Sequence, residues 1–278
     1  MTVAVDESDW SPLRRAALTQ DYGYLRLGPL ALGPPKWSNS TGQTHLALTE
    51  TDEEILLVDR MILASDHSEF DVNAMMDNLR HVMGLEHRHI MTIIGAGIDD
   101  EIPYVVRRFR LGRPLADVIA TGQIDGSLAV ALLYPIAEAL VFLADAGPQP
   151  GVCSVGDFDA RDVWIGFDGG VWLMGQGAAD LRKLSRPSSF EGASNDEPLV
   201  RDLEAFKRLA KTIGRVAKRA VEEVLLPVED LSAAQVALRR FDREACGRRP
   251  TLIGTWMRRH FSDEIQNERA AFGLQPLH

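Results

Sequence analysis

Apolar and polar residues alternate around a glycine-rich turn near the middle of the chain. Residues 151–177 contain two short apolar stretches, and Phe-Asp-Gly-Gly at 167–170 lies between them. Asp-Gly between two apolar runs is a strong signal for a β-hairpin. An acidic loop comes before the first predicted strand, and Gly-Gln-Gly at 175–177 follows the second. We therefore predict a hairpin here and place the rest of the chain relative to it.

Before this hairpin, the pattern predicts a small β-rich unit. Strands are expected within residues 22–32, 45–49, 54–63, 90–97 and 102–109. The glycines, prolines and polar residues of 33–42 indicate a loop. Residues 70–85 carry apolar side chains at helical spacing, which predicts one helix inserted among the strands. Antiparallel pairing is expected because the connections are short.

After residue 112 the pattern becomes mainly helical. Helices are expected at 115–120, 128–146, 199–224, 233–240 and 252–261. The predicted fold class is therefore α+β, with a small antiparallel β lobe over 22–110 and a larger, mainly helical lobe over 111–262. Residues 1–21 are expected to form a polar leader, and residues 263–278 a tail.

Composition and charge favour a soluble, cytoplasmic protein. The 278 residues are 45% hydrophobic and 25% charged, which is ordinary for a globular chain. A net charge of −10 argues against a nucleic-acid or anionic-membrane partner. Cys153 and Cys246 have neither zinc-site nor disulfide-framework spacing, so two reduced thiols are expected. The apolar run 128–144 contains Pro135 and Glu138, and we interpret it as a buried core helix without membrane insertion.

The order of several degenerate motifs resembles the protein-kinase family, and in particular bacterial Ser/Thr kinases. Residues 155–165 resemble the catalytic loop His-Arg-Asp-Leu-x-x-x-Asn, and residues 171–177 resemble the strand entering Asp-Phe-Gly. Further likenesses are Leu-Glu-His-Arg-His-Ile-Met at 85–91, Pro-Tyr-Val-Val at 103–106, Leu-Gly-Arg-Pro-Leu at 111–115, the helix containing Asp202, and Arg-Pro-Thr at 249–251. The resemblance covers about residues 22–262 and implies a two-lobed protein-kinase-like fold.

The same resemblance indicates that the phosphate-binding groups are altered. Phosphoryl transfer in this family needs a glycine-rich loop, a Lys paired with a helix Glu, metal ligands and a base. At the place of the glycine-rich loop stand Ala31, Gly33 and Lys36, with two prolines that donate no backbone N–H. The lysine position falls on Asp59, and the helix Glu falls on Asn78. Arg60 substitutes for the lysine only if a bulge exchanges the two faces of the strand.

The catalytic-loop resemblance retains one expected residue. Asp157 matches the base, and Asp162 falls on the Asn that holds a metal ion. Gly175 falls on the metal-binding Asp and has no side chain to offer. With Asp159, these aspartates are expected to form a solvated acidic loop, the alternative being a residual Mg²⁺ or Ca²⁺ site. We predict no metal site and no binding of ATP or magnesium.

The predicted hinge between the lobes is unusually basic, with Arg107, Arg108 and Phe109 in sequence. We expect an exposed Arg107. The alternative is a buried pair with Asp59, because both residues belong to the same predicted sheet and a buried charge needs a partner. Such a pair would fill the nucleotide site with protein.

Taken together, these substitutions imply a pseudokinase that acts as a protein-binding scaffold or allosteric adaptor. A nucleotide sensor without turnover, and a weak or altered phosphotransferase using Asp157 and Asp162, are the alternatives. A protein partner is expected, and the candidate surface for it is the basic helix face formed by Lys207, Arg208, Lys211, Arg215 and Lys218. The serines of the polar loop 185–189 are candidates for phosphorylation by another kinase.

Overall fold

The amino-terminal part of the chain is built on one antiparallel sheet. The computed structural model describes residues 25–27, 30–38, 42–49, 55–61, 76–77, 79–146, 151–176 and 198–271. The sheet contains β1 (Leu25–Leu27), β2 (Leu30–Ser38), β3 (Gly42–Thr49), β4 (Ile55–Met61), β5 (Ile93–Asp99) and β6 (Ile102–Arg108), in the spatial order β1-β2-β3-β4-β6-β5. All its pairings are antiparallel, as predicted.

Strand β2 shows where composition was misleading. We predicted a loop from residue 33 onward, but β2 continues through both prolines to Ser38. Its register against β3 shifts on each side of Pro35. Bulges of this kind accommodate proline, which cannot donate to the ladder. The predicted helix at 70–85 is described only from residue 76, and residues 79–82 are helical.

The second half of the chain is mainly helical, as expected. It contains β7 (Gly112–Pro114), α1 (Leu115–Ala120), α2 (Gly126–Asp145), a short 3-10 turn (Ala160–Asp162), β8 (Val163–Gly166), β9 (Val171–Leu173), α3 (Pro198–Ala217), α4 (Val221–Leu225), α5 (Leu231–Phe241), α6 (Arg243–His260) and α7 (Ser262–Ala271). The predicted α+β class is therefore confirmed.

Two helix boundaries differ from the predictions for local reasons. The single helix predicted at 199–224 is interrupted after α3, where Lys218 has a left-handed φ of 52°. Helix α6 begins at Arg243 instead of 252, because the Asp242 side chain accepts a hydrogen bond from the backbone N–H of Ala245 at 2.9 Å. Pro250 lies inside this helix, at the point where we had expected the helix to be about to begin.

Helix α2 forms the centre of the helical part. It is long and apolar enough to cross a membrane by composition, yet most of its apolar stretch is buried within the fold. Thirteen of its residues are buried, running from Leu128 to Leu143. This agrees with the prediction of a core helix.

The predicted hairpin forms between β8 and β9. Val163 pairs with Leu173 and Ile165 with Val171, while β7 pairs with the other edge of β8. Gly169 in the turn has a φ of 91°, and an added Cβ there would lie 2.0 Å from the carbonyl oxygen of Pro250. The turn therefore needs glycine both for its backbone angle and for its approach to α6.

Asp202 of α3 joins the helical core to the loop before the hairpin. Its carboxylate is fully buried. It accepts a hydrogen bond from the Ser154 hydroxyl at 2.7 Å and another from the backbone N–H of Gly156. Hydrogen bonds to a buried carboxylate are among the stronger ones in proteins, so this contact fixes the position of the acidic loop on α3.

Candidate functional site

A buried ion pair lies on the inner face of the first sheet. The Arg107 guanidinium on β6 contacts the Asp59 carboxylate on β4, and each side chain is at most 4% exposed. The Thr44 hydroxyl on β3 donates to the other Asp59 oxygen at 2.7 Å. Our expectation of an exposed Arg107 was therefore wrong, and the alternative pair is the one observed. A charge buried on a sheet needs a partner, and the register places one on the neighbouring strand.

Aromatic and apolar side chains fill the space between the two parts of the molecule. Trp164 of β8 is fully buried in a cluster with Leu46, Leu57, Met91 and Met174, against which Trp37, Ile55, Phe109 and Trp172 pack. The Trp37 ring meets the Trp164 ring edge-on, with centroids 4.8 Å apart. This cluster joins the first sheet to the hairpin.

Trp164 also makes a specific contact with the hinge. Its indole N–H donates to the backbone carbonyl of Arg110 at 2.8 Å. Phe109 lies at 6.2 Å from the Trp164 ring, in an edge-to-face arrangement. The indole thus satisfies the hydrogen-bonding capacity of a backbone carbonyl in the hinge.

The residues at the glycine-loop position belong to β2 and are held by protein contacts. The Gly33 carbonyl is 2.9 Å from Nδ1 of His45. Ala31 pairs with Leu48 in the register of β2 and β3. The Lys36 ammonium lies 4.7 Å from the centre of the Trp37 ring. Gly33 and Lys36 themselves lie at the register shifts on either side of Pro35.

Glu268 on α7 connects the two parts of the molecule. The Lys36 ammonium lies 3.4 Å from its Oε1, and the Arg113 guanidinium on β7 contacts the same oxygen. Burial, together with the neighbouring Arg113, lowers the pKa of Lys36, and Glu268 opposes this shift. The residues that we assigned to a tail therefore include a helix that holds β2 against β7.

Removing the Glu268 charge is expected to weaken this connection. Glu268→Gln keeps the shape of the side chain but loses two charge-assisted contacts, so the free energy of unfolding should fall by about 1–3 kcal/mol. Chemical denaturation measures the change, and hydrogen exchange in β2 should accelerate. Asp263→Asn is the control on the same helix, where an exposed carboxylate should matter by less than about 0.5 kcal/mol. Equal effects from both substitutions would contradict the connecting role.

Arg60 does not occupy the lysine position. The register between β3 and β4 is continuous from Gly42 to Leu48, so no bulge exchanges Asp59 and Arg60. The two side chains point to opposite faces of the sheet, and Arg60 faces away from the ion pair. The predicted position Asn78 lies outside the described residues.

The aspartates of the acidic loop contact partners of their own. The Arg208 guanidinium of α3 pairs with Asp157, and Arg161 pairs with Asp159. Asp162 is 2% exposed and accepts a hydrogen bond from the backbone N–H of Asp159 at 2.9 Å. Within the described ranges, no group of three or more potential metal-binding side chains is close enough to hold an ion.

Gly175 has a positive φ of 85°, which suits glycine and leaves no ligand at this position. The next residue, Gln176, is buried and donates from its side chain to the carbonyl of Met91 at 2.7 Å. The segment after β9 is therefore fastened to the loop before β5.

The structure brings together several predicted positions and adds two that we missed. Asp59 and Arg107 meet, while Asp157 and Asp162 lie in one loop next to β8. Trp164 and Glu268 were not predicted as site residues. Trp164 lies two residues after Asp162, and its size in a buried strand was an available signal. Nothing in the local sequence distinguishes Glu268.

Comparison with solved structures identifies the fold. The chain is similar to the crystal structure of the PknI kinase domain of Mycobacterium tuberculosis, in a double-mutant form, with a TM-score of 0.59 and 14% sequence identity. The match covers 81% of this chain and 97% of that domain. No protein-family model matches the sequence, and no curated protein matches it. The chain therefore has a protein-kinase-like fold, as its motif order implied.

Proposed function

We propose that this protein is a pseudokinase whose nucleotide cleft is closed by its own side chains and whose role is to bind another protein. The observation that carries the proposal is Trp164, which is fully buried between the lobes and donates its indole N–H to the hinge carbonyl of Arg110. The planar ring takes the place against the hinge where a nucleotide base would have to lie. Opening that place would expose the cluster around it to water.

The charges around the cleft support the same proposal. Phosphoryl transfer works by positioning and by neutralising the phosphate charge, with a lysine and metal ions as the principal cations. Asp59 supplies a negative charge at the lysine position and is neutralised by Arg107. Gly175 offers no metal ligand, and Asp157 is paired with Arg208. Asp59 and Asp157, the two carboxylates at former catalytic positions, thus each have a cationic partner within the protein.

A thermal-shift titration with ATP, with and without Mg²⁺, tests the closed cleft. We expect the melting temperature to stay within about 1 °C of its starting value at millimolar nucleotide. An open site whose dissociation constant is a hundredth of the ligand concentration would stabilise the fold by about 2.7 kcal/mol. That corresponds to a shift of several degrees for a domain of this size. An active protein kinase measured in parallel is the control.

The two alternative functions give different results in the same experiments. A shift with ATP that is independent of magnesium would support a nucleotide sensor. A magnesium-dependent shift with transfer of radiolabelled phosphate, abolished by Asp157→Asn, would support a phosphotransferase and contradict the proposal. Absence of both shift and transfer is the expected result.

The proposed binding role, in a cytoplasmic setting, needs a partner surface. The basic face predicted for this purpose consists of Lys207, Arg208, Lys211 and Arg215 of α3 and of Lys218, which follows the end of this helix. Lys207 is 3.2 Å from Glu204, and Arg208 pairs with Asp157. Lys211, Arg215 and Lys218 are exposed. Because part of this face is paired within the protein, it is weaker support for a partner site than its sequence indicated.

A further inference from the structure

A cavity of about 380 Å³ lies on the other side of the hinge from the Trp164 cluster, and none of the residues discussed as catalytic positions lines it. It is lined by the segment before β5, the outer side of the hinge and one residue of β9: Glu86, His87, Arg88, Ile90, Met91, Thr92, Arg108, Arg110 and Trp172. Ile90 and Met91 are buried and form an apolar floor. Trp172 is half-buried, so part of its ring faces the cavity.

Successive hinge residues separate this cavity from the cleft. Phe109 contacts Trp164 in the closed cleft, whereas Arg108 and Arg110 line the cavity. The carbonyl of Arg110 is already used by Trp164, but its exposed side chain extends over the Trp172 ring, with the guanidinium carbon 5.8 Å from the ring centre. Arginine against an aromatic face is a preorganised arrangement for a planar anion.

The charge of the rim differs from that of the whole molecule. Three arginines and one glutamate border the cavity, whereas the chain as a whole carries a net charge of −10. The Arg88 guanidinium is fastened by one contact, at 2.6 Å, to Glu138 of α2, and its side chain remains 63% exposed. An anchored arginine loses less entropy when it binds an anion than a freely moving one.

We propose that this arginine-rimmed pocket binds an acidic segment of a partner protein. An apolar or aromatic side chain of that segment would contact Ile90, Met91 and Trp172, and its acidic groups would face Arg88 and Arg110. Both parts of the pocket favour this occupant, because an apolar floor with a positive rim complements an apolar side chain flanked by negative charge. The negative group is a carboxylate or a phosphorylated side chain, since arginine forms two-pronged hydrogen bonds with either. This inference names a surface for the proposed binding role but requires no closed nucleotide cleft.

Fluorescence polarisation with defined peptides tests the pocket. The probes are a short fluorescein-labelled peptide of glutamates around one phenylalanine, the same peptide with phosphoserines in place of glutamates, and a lysine-containing version as the negative control. We expect the first two to bind with an affinity that falls as salt is raised, and the lysine peptide not to bind. The acidic peptide that binds with the higher affinity shows whether the pocket prefers a carboxylate or a phosphate group.

Matched variants locate the binding site. Arg110→Glu should weaken the acidic peptides by about tenfold or more, since it replaces an attractive rim charge by a repulsive one. Arg240→Glu makes the same charge change at an exposed position on α5 and should alter affinity less than about twofold. A peptide carrying a photo-crosslinking side chain in place of the phenylalanine should label residues 86–92 or Trp172.

Three results would overturn the proposal. They are failure of both acidic peptides to bind, equal weakening by Arg110→Glu and Arg240→Glu, and crosslinks that lie elsewhere on the molecule. If the ATP titration contradicts the pseudokinase proposal while the peptide still binds wild type and not Arg110→Glu, the pocket stands independently.

Discussion

Replacing Asp59 by alanine is expected to lower the free energy of unfolding by about 3–5 kcal/mol. The substitution leaves the Arg107 guanidinium, only 3% exposed, without its carboxylate partner on the first sheet. It also removes the acceptor of the Thr44 hydroxyl. The cost comes mainly from removing the carboxylate opposite a buried guanidinium and only in small part from the lost side-chain volume. Chemical denaturation measures it as a shift of the midpoint at constant slope.

The double variant Asp59→Leu with Arg107→Met separates the charge from the packing. Both charges are then absent, and the replacements fill a similar space, so the stability should return to within about 1–2 kcal/mol of wild type or exceed it. A surface pair is the matched control. Arg248 and Glu244 on α6 lie 3.0 Å apart with highly exposed side chains, and Glu244→Ala should cost less than about 1 kcal/mol. If Asp59→Ala lowers the free energy of unfolding no more than Glu244→Ala does, the Asp59–Arg107 pair contributes no more to stability than an exposed pair.

The buried pair shows which parts of the site could be predicted from sequence. The motif resemblance put Asp59 at the lysine position of one predicted strand, and Arg107 fell on another strand of the same predicted sheet. A pair was therefore one of two outcomes. Whether Arg107 is exposed or paired depends on whether its side chain is buried. Its burial in turn depends on how whole secondary-structure elements pack against the sheet. Sequence periodicity assigns a residue to a face of its own strand but does not say what covers that face.

The contacts between lobes were beyond prediction for the same reason. Trp164 lies in a strand whose pattern was correctly recognised, yet its contact with the Arg110 carbonyl joins residues 54 positions apart in the chain. Glu268 reaches Lys36 across 232 positions. Local propensity has no access to such pairs. The prediction for β2 was wrong for a different reason. Its prolines indicated a loop, but the sheet accommodates them by shifts of register.

Truncation of Trp164 is expected to produce the second large effect. Trp164→Ala removes a fully buried indole from the centre of the interlobe cluster, and a change of this kind typically costs about 3–5 kcal/mol. The Arg110 carbonyl also loses its donor. The same substitution creates a cavity next to the hinge, lined by apolar side chains and one unsatisfied acceptor. A planar ligand with an N–H donor fits that combination.

If the Trp164 ring closes the nucleotide cleft, removing this ring should allow a nucleoside to bind there. Adenosine should raise the melting temperature of Trp164→Ala by several degrees at high concentration and leave wild type unchanged. ATP with Mg²⁺ should add nothing to the effect of adenosine, because Asp59 and Gly175 still provide no phosphate or metal contact.

Trp256→Ala is the control: its ring is partly exposed and stacks on His260 on α6, remote from the hinge. That variant should lose less stability and show no adenosine response. Stabilisation of wild type by adenosine, or no response in a folded Trp164→Ala protein, would mean that the indole does not close the site. The first result would place the base elsewhere in the cleft, and the second would leave the whole cluster, including Trp37 and Phe109, as the barrier to nucleotide.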